Sequence, residues 1–169
     1  INQLLVAEPQ KREYREGLAR IYNNLSNLHL LTGKLEPALT ANAAARELFE
    51  ELAKPIPELR NEIANSYNTR GAILSRLRRN REAAEAIENA VRQFDDLQRD
   101  SPDFAKDPGL NDRFGGTLAS LAILRSNAGR YREAERLISQ AIDYFVTAVN
   151  SPAPSTGFRQ NLANAYWLL

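Results

Sequence analysis

The chain contains no cysteine and no methionine, and only one histidine and one tryptophan. The missing cysteine excludes disulfides and thiolate metal sites while fitting a reducing or an oxidising compartment equally. With no second histidine or cysteine to pair with, His29 reads as a packing residue rather than a metal ligand or catalytic base. No excess of charge is present either: 22 lysines and arginines face 21 aspartates and glutamates. A chain so balanced has no overall field to draw it to nucleic acid or to an anionic membrane. No apolar run approaches the roughly 18 residues that span a bilayer, and the first residues do not read as a signal peptide, so no membrane partner is expected. Strand signals are missing throughout, with no apolar-polar alternation and no Asn-Gly or Asp-Gly hairpin. Opening on Ile1 without a methionine, the chain is expected to be a piece of a longer protein, in a cytoplasmic setting.

What is present is repetition. Leu31 to Ala45, Leu77 to Ala90 and Ala128 to Ala141 superimpose around their turns, so that Ala38, Ala83 and Ala134 coincide, then Ala45, Ala90 and Ala141, then Phe49, Phe94 and Phe145. Two small residues seven apart and a phenylalanine four later mark one face of a helix. A second motif precedes each stretch: Arg15-x-x-Leu18-Ala19-x-x-Tyr22, Arg60-x-x-Ile63-Ala64-x-x-Tyr67 and, at the end, Arg159-x-x-Leu162-Ala163-x-x-Tyr166, with a looser copy from Asn111 to Leu118. Each unit is therefore two helices, and the units recur at spacings of 45, 51 and 48 residues. Periods of this size are read as repeat architectures.

The expected fold is all-α, a solenoid of antiparallel helix hairpins. Residues 1–9 read as the tail of a preceding repeat, 10–54 as repeat one, 55–99 as repeat two, 100–150 as repeat three, and 151–169 as a first helix of a fourth repeat or a capping helix. In the first helix Leu18, Ile21, Tyr22, Leu25 and Leu28 stand three or four apart, which predicts that this stripe is buried. Gly33 is expected to stop that helix in a left-handed turn. Pro55 and Pro57 break the chain before repeat two. The stretch from Asp100 to Gly109 is the longest connection.

The pattern resembles the tetratricopeptide repeat. Repeat one supplies Tyr22, Leu25, Ser26, Gly33, Leu35, Ala38 and Ala45; Tyr67, Gly71, Ala83 and Ala90, then Leu118, Ala122, Gly129, Tyr131, Ala134 and Ala141, supply the next two. Arg70 stands where leucine is usual, Arg78 replaces the turn glycine, and the helices exceed the family's 34-residue unit. The Arg-x-x-Leu/Ile-Ala motif is also similar to repeat regions appended to certain bacterial serine/threonine protein kinases. The first resemblance implies a right-handed α-α superhelix that binds peptides on its concave side without catalysis. The second implies, as an alternative, a regulatory or self-association region of a larger signalling enzyme.

A solenoid leaves a curved face made by successive first helices. In repeat one that stripe is Glu16, Arg20, Asn23, Asn27 and Leu30; in repeat two it is Asn61, Asn65, Asn68, Ala72 and Ser75. Asparagine is a poor helix former, so a stripe of it is unexplained by local propensity. Its amide both donates and accepts, which suits pairing with the backbone of an extended peptide. Further on the stripe turns small or apolar, through Gly116, Ala119, Ile123 and Ser126 to Asn164 and Trp167. The expectation is a protein- or peptide-binding groove using Arg20, Asn23, Asn27, Asn65, Asn68, Ile123 and Trp167, with a bulky partner side chain seated near Ile123 and Trp167. The apolar end Tyr166-Trp167-Leu168-Leu169 suggests a homodimer contact.

Other features read as structural. Arg76, Arg78, Arg79 and Arg81 surround a helix C-terminus, where cations complement the dipole. Gly115-Gly116 follows no strand and so makes no phosphate loop. No nucleophile, base and orienting group can be assembled, so neither catalysis nor a cofactor or metal is expected.

Overall fold

The computed structural model describes residues 9–53 and 59–169. Among them the regular elements are helices: α1 (Pro9–Leu31), α2 (Leu35–Ala53), α3 (Arg60–Arg76), α4 (Asn80–Asp100), α5 (Pro108–Asn127), α6 (Tyr131–Val149) and α7 (Thr156–Leu168). A single 3₁₀ turn, Phe104–Lys106, precedes α5. The expected tail of a preceding repeat at residues 1–8 and the proline break at Pro55 and Pro57 lie outside the described residues.

Three turns of one design join the helices into pairs. Gly33 and Gly129 take left-handed backbone conformations with φ of 75°, and between them Arg78 takes the same conformation at φ 59°. In each turn the next amide reaches back to the carbonyl five residues earlier: Lys34 N to His29 O at 2.8 Å, Arg79 N to Leu74 O at 2.9 Å, Arg130 N to Arg125 O at 2.8 Å. This bond satisfies a carbonyl that the helix end would leave without a partner. Arginine pays no such role cheaply, since a Cβ in the left-handed region costs about 1–2 kcal/mol. At the other end, α5 is started by Asp107, whose Oδ1 accepts from the amides of Gly109 at 2.8 Å and Leu110 at 3.0 Å, with Pro108 at the first position. Side-chain caps of this kind are worth roughly 1 kcal/mol.

Packing runs from each helix to the next. The closest associations are α1 with α2, α3 with α4 and α5 with α6, followed by α2 with α3, α6 with α7 and α4 with α5. The repeated frame is buried as its spacing requires: Ala38, Ala45, Ala83, Ala90 and Ala141 are fully inaccessible, and so are Phe49 and Phe94. Within the pairs two glycines permit the approach. A Cβ at Gly71 would lie 2.4 Å from Ile87 Cδ1, and one at Gly115 would lie 2.9 Å from Phe145 Cε1 and 3.1 Å from the carbonyl of Ala141.

The largest core spans α4 to α6. There Phe94 stacks on Phe114 with centroids 5.2 Å apart, Phe104 meets Phe114 edge-on at 6.2 Å, and Tyr144 tilts against it at 4.6 Å. Phe104 belongs to the long connection after α4, so that stretch contributes a buried plug and not only a link.

One expectation is corrected. The stripe Leu18, Ile21, Leu25 and Leu28 is not core but surface, 42%, 62%, 37% and 56% exposed. Instead α1 turns Ala19 and Ser26 inward. The reason is visible one repeat later. Positions 45 residues on, Ile63, Ser66 and Ile73, are buried on α3, which packs against α2. Among the described residues no helix stands before α1 in the place that α2 takes before α3.

Candidate functional site

The odd-numbered helices α1, α3, α5 and α7 are tied to one another by a ladder of polar side chains. Between α1 and α3, Arg20 donates from Nη1 to Glu62 Oε1 at 3.0 Å, and within α1 it donates from Nη2 to Glu16 Oε1 at 2.9 Å. Two further rungs join these helices: Thr69 Oγ1 donates to Asn27 Oδ1 at 3.4 Å, and Arg76 Nη1 donates to the carbonyl of Leu30 at 2.7 Å. Between α3 and α5, Arg113 Nη1 donates to Asn61 Oδ1 at 2.9 Å and Asn68 Nδ2 donates to Thr117 Oγ1 at 2.6 Å. Between α5 and α7, Asn161 Nδ2 donates to Asp112 Oδ1 at 2.9 Å. The hydrogen bond that Arg20 donates to the Glu16 carboxylate, with Glu62 adding to it, raises Arg20 above the ordinary arginine pKa.

This geometry places the sequence-predicted residues one by one. Arg20, Asn27 and Asn68 are engaged with neighbouring helices, so they set the spacing of the face. The amide of Asn65 points along its own helix to Asn61 Oδ1 at 3.5 Å. Asn23 is half-buried, and its Oδ1 is buried without a hydrogen-bond partner among the described residues. Beyond the ladder the same face is lined by small exposed side chains, Ala72, Ser75 and Ser120, with Gly116 half-buried among them.

At the far end of this face Ile123, 43% exposed, borders a hollow of about 500 Å³. Ser126, Tyr131, Ile138, Leu168 and Leu169 also line it. Trp167 does not. It stands 86% exposed, neither beside Ile123 in the hollow nor covering the core. Successive helical residues point about 100° apart, so Leu168 facing the hollow turns its neighbour away. The residues missed from sequence were the partners of the ladder, Glu62, Thr69, Asp112, Arg113, Thr117 and Asn161. Their one available signal was that donors and acceptors flank the asparagine stripe at neighbouring helical positions.

Of the arginines around the α3–α4 turn, Arg76 caps α1, Arg79 chelates Glu82 at 2.7 and 2.6 Å, and Arg81 reaches Glu85 at 3.2 Å. Among the described residues no group of three histidines, aspartates or glutamates could hold a metal ion, and no helix is long and apolar enough to cross a membrane.

With this arrangement in view, comparison with known proteins gives a likeness of fold. No family model matches the chain, and no curated protein matches it. The crystal structure of BtubC (BKLC) from P. vanneervenii superposes with a TM-score of 0.65 at 20% sequence identity, over 98% of this chain and 57% of that one. This chain thus spans less than two thirds of the length of BtubC. Identity this low speaks for the shared all-helical fold and not for a shared activity.

Proposed function

We propose that this chain is a non-catalytic interaction module of tetratricopeptide type, in which the hairpins stack side by side as a right-handed superhelix and the odd-helix face is its concave side. On this reading a protein segment lies in extended form over Ala72, Ser75, Gly116 and Ser120 and seats a bulky apolar side chain in the hollow beside Ile123. The observation that supports it best is that hollow, which continues a small-residue floor and leaves the apolar Ile123, Leu168 and Leu169 facing solvent. Burying a leucine- or phenylalanine-sized side chain there is worth about 1.5–3 kcal/mol, enough for a tenfold to hundredfold gain in affinity.

The polar ladder has a supporting part in this reading. With the amide of Asn68 engaged by Thr117 and Arg20 held between two carboxylates, the face is set before a partner arrives, which lowers the ordering cost of binding. The test is to select peptides from a displayed random library on the immobilised chain and titrate the synthetic winners by calorimetry. Selected peptides should share a bulky apolar residue, and Ile123→Glu should weaken them at least tenfold while Arg132→Ala, on α6, leaves them unchanged. Peptides that bind Ile123→Glu as tightly as the parent would refute the assignment.

A further inference from the structure

Between α4 and α6 we infer a second binding site, one that takes an arginine side chain of a partner protein against Asp95 and Asp143. Both helices pack on α5, and between them lies a hollow of about 490 Å³. Ligand-binding clefts run from about 300 to 1,000 Å³. Val91, Leu118 and Leu137 give the hollow apolar walls, Tyr144 adds an aromatic ring, and the exposed carboxylates of Asp95 and Asp143 line it.

The repeat itself shows what such a place holds. Carried back by the repeat offsets, Val91, Asp95 and Leu118 correspond to Arg46, Glu50 and Tyr67 of the preceding unit. There the place is filled from within. The Arg46 guanidinium lies 5.1 Å from the centroid of the Tyr67 ring, Arg46 Nε stands 3.4 Å from Glu50 Oε1, and the arginine side chain is only 18% exposed. Tyr67 Oη donates to the same Glu50 oxygen at 3.4 Å. One repeat later the acid is kept as Asp95, Tyr144 on α6 supplies a ring, and valine stands in place of the arginine. Valine is too short to reach where Arg46 reaches, so the surroundings of a guanidinium remain without the guanidinium.

The carboxylates are also uncompensated. Among the described residues neither Asp95 nor Asp143 is in an ion pair. Arg99 acts on Asp95 from a distance but is paired with Asp96 at 3.1 Å. Arg136 lines the hollow two helical turns before Asp143, about 10 Å from it along α6. Burial, and then Asp96, hold Asp95 above the ordinary aspartate pKa. Burial raises the Tyr144 hydroxyl, and Asp95 and Asp143 both add to that, so the two carboxylates bear on one point of the hollow. A guanidinium suits that point better than an ammonium: its flat fork donates to two carboxylates at once and sheds water more readily. Its stem packs on apolar walls, and its plane can lie against the Tyr144 ring. The model occupant, Arg46, belongs to a polypeptide, whose amide-linked backbone brings no further charge; the free amino acid would carry an ammonium toward Arg136.

The test is to titrate the chain with N-acetylarginine N-methylamide and follow the backbone amide resonances of Asp95 and Tyr144, with circular dichroism to show that each variant keeps its helices. The shifts should saturate. N-acetylcitrulline N-methylamide, of the same shape without the charge, should bind weaker by about fivefold or more, as should the arginine probe to Asp95→Asn or Asp143→Asn. Val91→Arg recreates the filling of the preceding repeat and should abolish binding. Shifts that do not saturate, citrulline bound as tightly as arginine, free arginine bound more tightly than the blocked form, or Val91→Arg binding the probe like the parent would each overturn the proposal. The hollow belongs to the even-numbered helices, so each outcome is independent of whether peptides bind beside Ile123.

Discussion

The first and later hairpins share one frame and fill it differently. Where α3 and α4 meet, Gly71 lies against Ile87, and the equivalent positions of α5 and α6 are Ala122 and Ile138. In the first hairpin the same places hold Ser26 and Asn42, both fully buried. Ser26 donates to the carbonyl of Ala38, and Asn42 Nδ2 donates to the carbonyl of Ser66 on α3 at 2.9 Å, while Asn42 Oδ1 and Ser66 Oγ have no partner among the described residues. The apolar cores differ accordingly. Ala19, Ala45, Phe49 and Ile63 form a small one at the first hairpin, and a far larger one with five aromatic rings unites α4, α5 and α6. Repetition of small residues and phenylalanines therefore sets the geometry, and the residues facing the next element decide where cohesion is concentrated.

The strongest way to press on this contrast is to truncate the shared phenylalanines. Phe94→Ala should cost about 3–5 kcal/mol in urea unfolding. Phe49→Ala should cost less by roughly 1 kcal/mol, because Phe94 also loses a stacked aromatic partner. Equal losses would show that the aromatic cluster adds nothing to the frame.

A sharper probe exchanges the fillings. Asn42→Ile alone should destabilise by about 1–3 kcal/mol, since the added volume meets Ser26 and the bond to Ser66 is lost. Adding Ser26→Gly recreates the pair found at Gly71 and Ile87 and should restore at least ~1 kcal/mol. A double mutant that merely sums the two single effects would mean that the two positions do not answer to one another.

Smaller still is the ladder. Asn68→Ala should cost about 1 kcal/mol, because Thr117 retains its bond to the carbonyl of Arg113 at 2.9 Å. The last change should be a gain. Arg78→Gly relieves a left-handed arginine at a turn where both sister turns have glycine, and a rise of about 0.5–1 kcal/mol in stability is expected, net of the glycine's greater freedom when unfolded.

The frame was legible because its signals are local. Ala38, Ala83 and Ala134 repeat at fixed distances from a left-handed turn, and helix periodicity carries that information to Phe49, Phe94 and Phe145. Even Arg78 could be recognised as a turn residue from its register alone. The α1 stripe was misread for a physical reason: periodicity shows that Leu18, Ile21, Leu25 and Leu28 share a face, but not whether anything covers it. The ladder was hidden differently. Asn68 and Thr117 are 49 residues apart, and a hydrogen bond between them depends on how two helices are spaced by others. Composition identified Asn68 as unusual, and only the structure shows that its partner is another helix. The hollow beside Ile123 was half legible, since the sequence named Ile123 but chose Trp167 where Leu168 and Leu169 line the wall.

Because each helix leans chiefly on its immediate neighbours in the chain, a force applied at the two ends would pass through the hairpins in series. Under tension such a stack would yield element by element, the aromatic cluster around Phe114 holding longest. Its length would then respond to load gradually, as an elastic tether does, and not by one abrupt rupture.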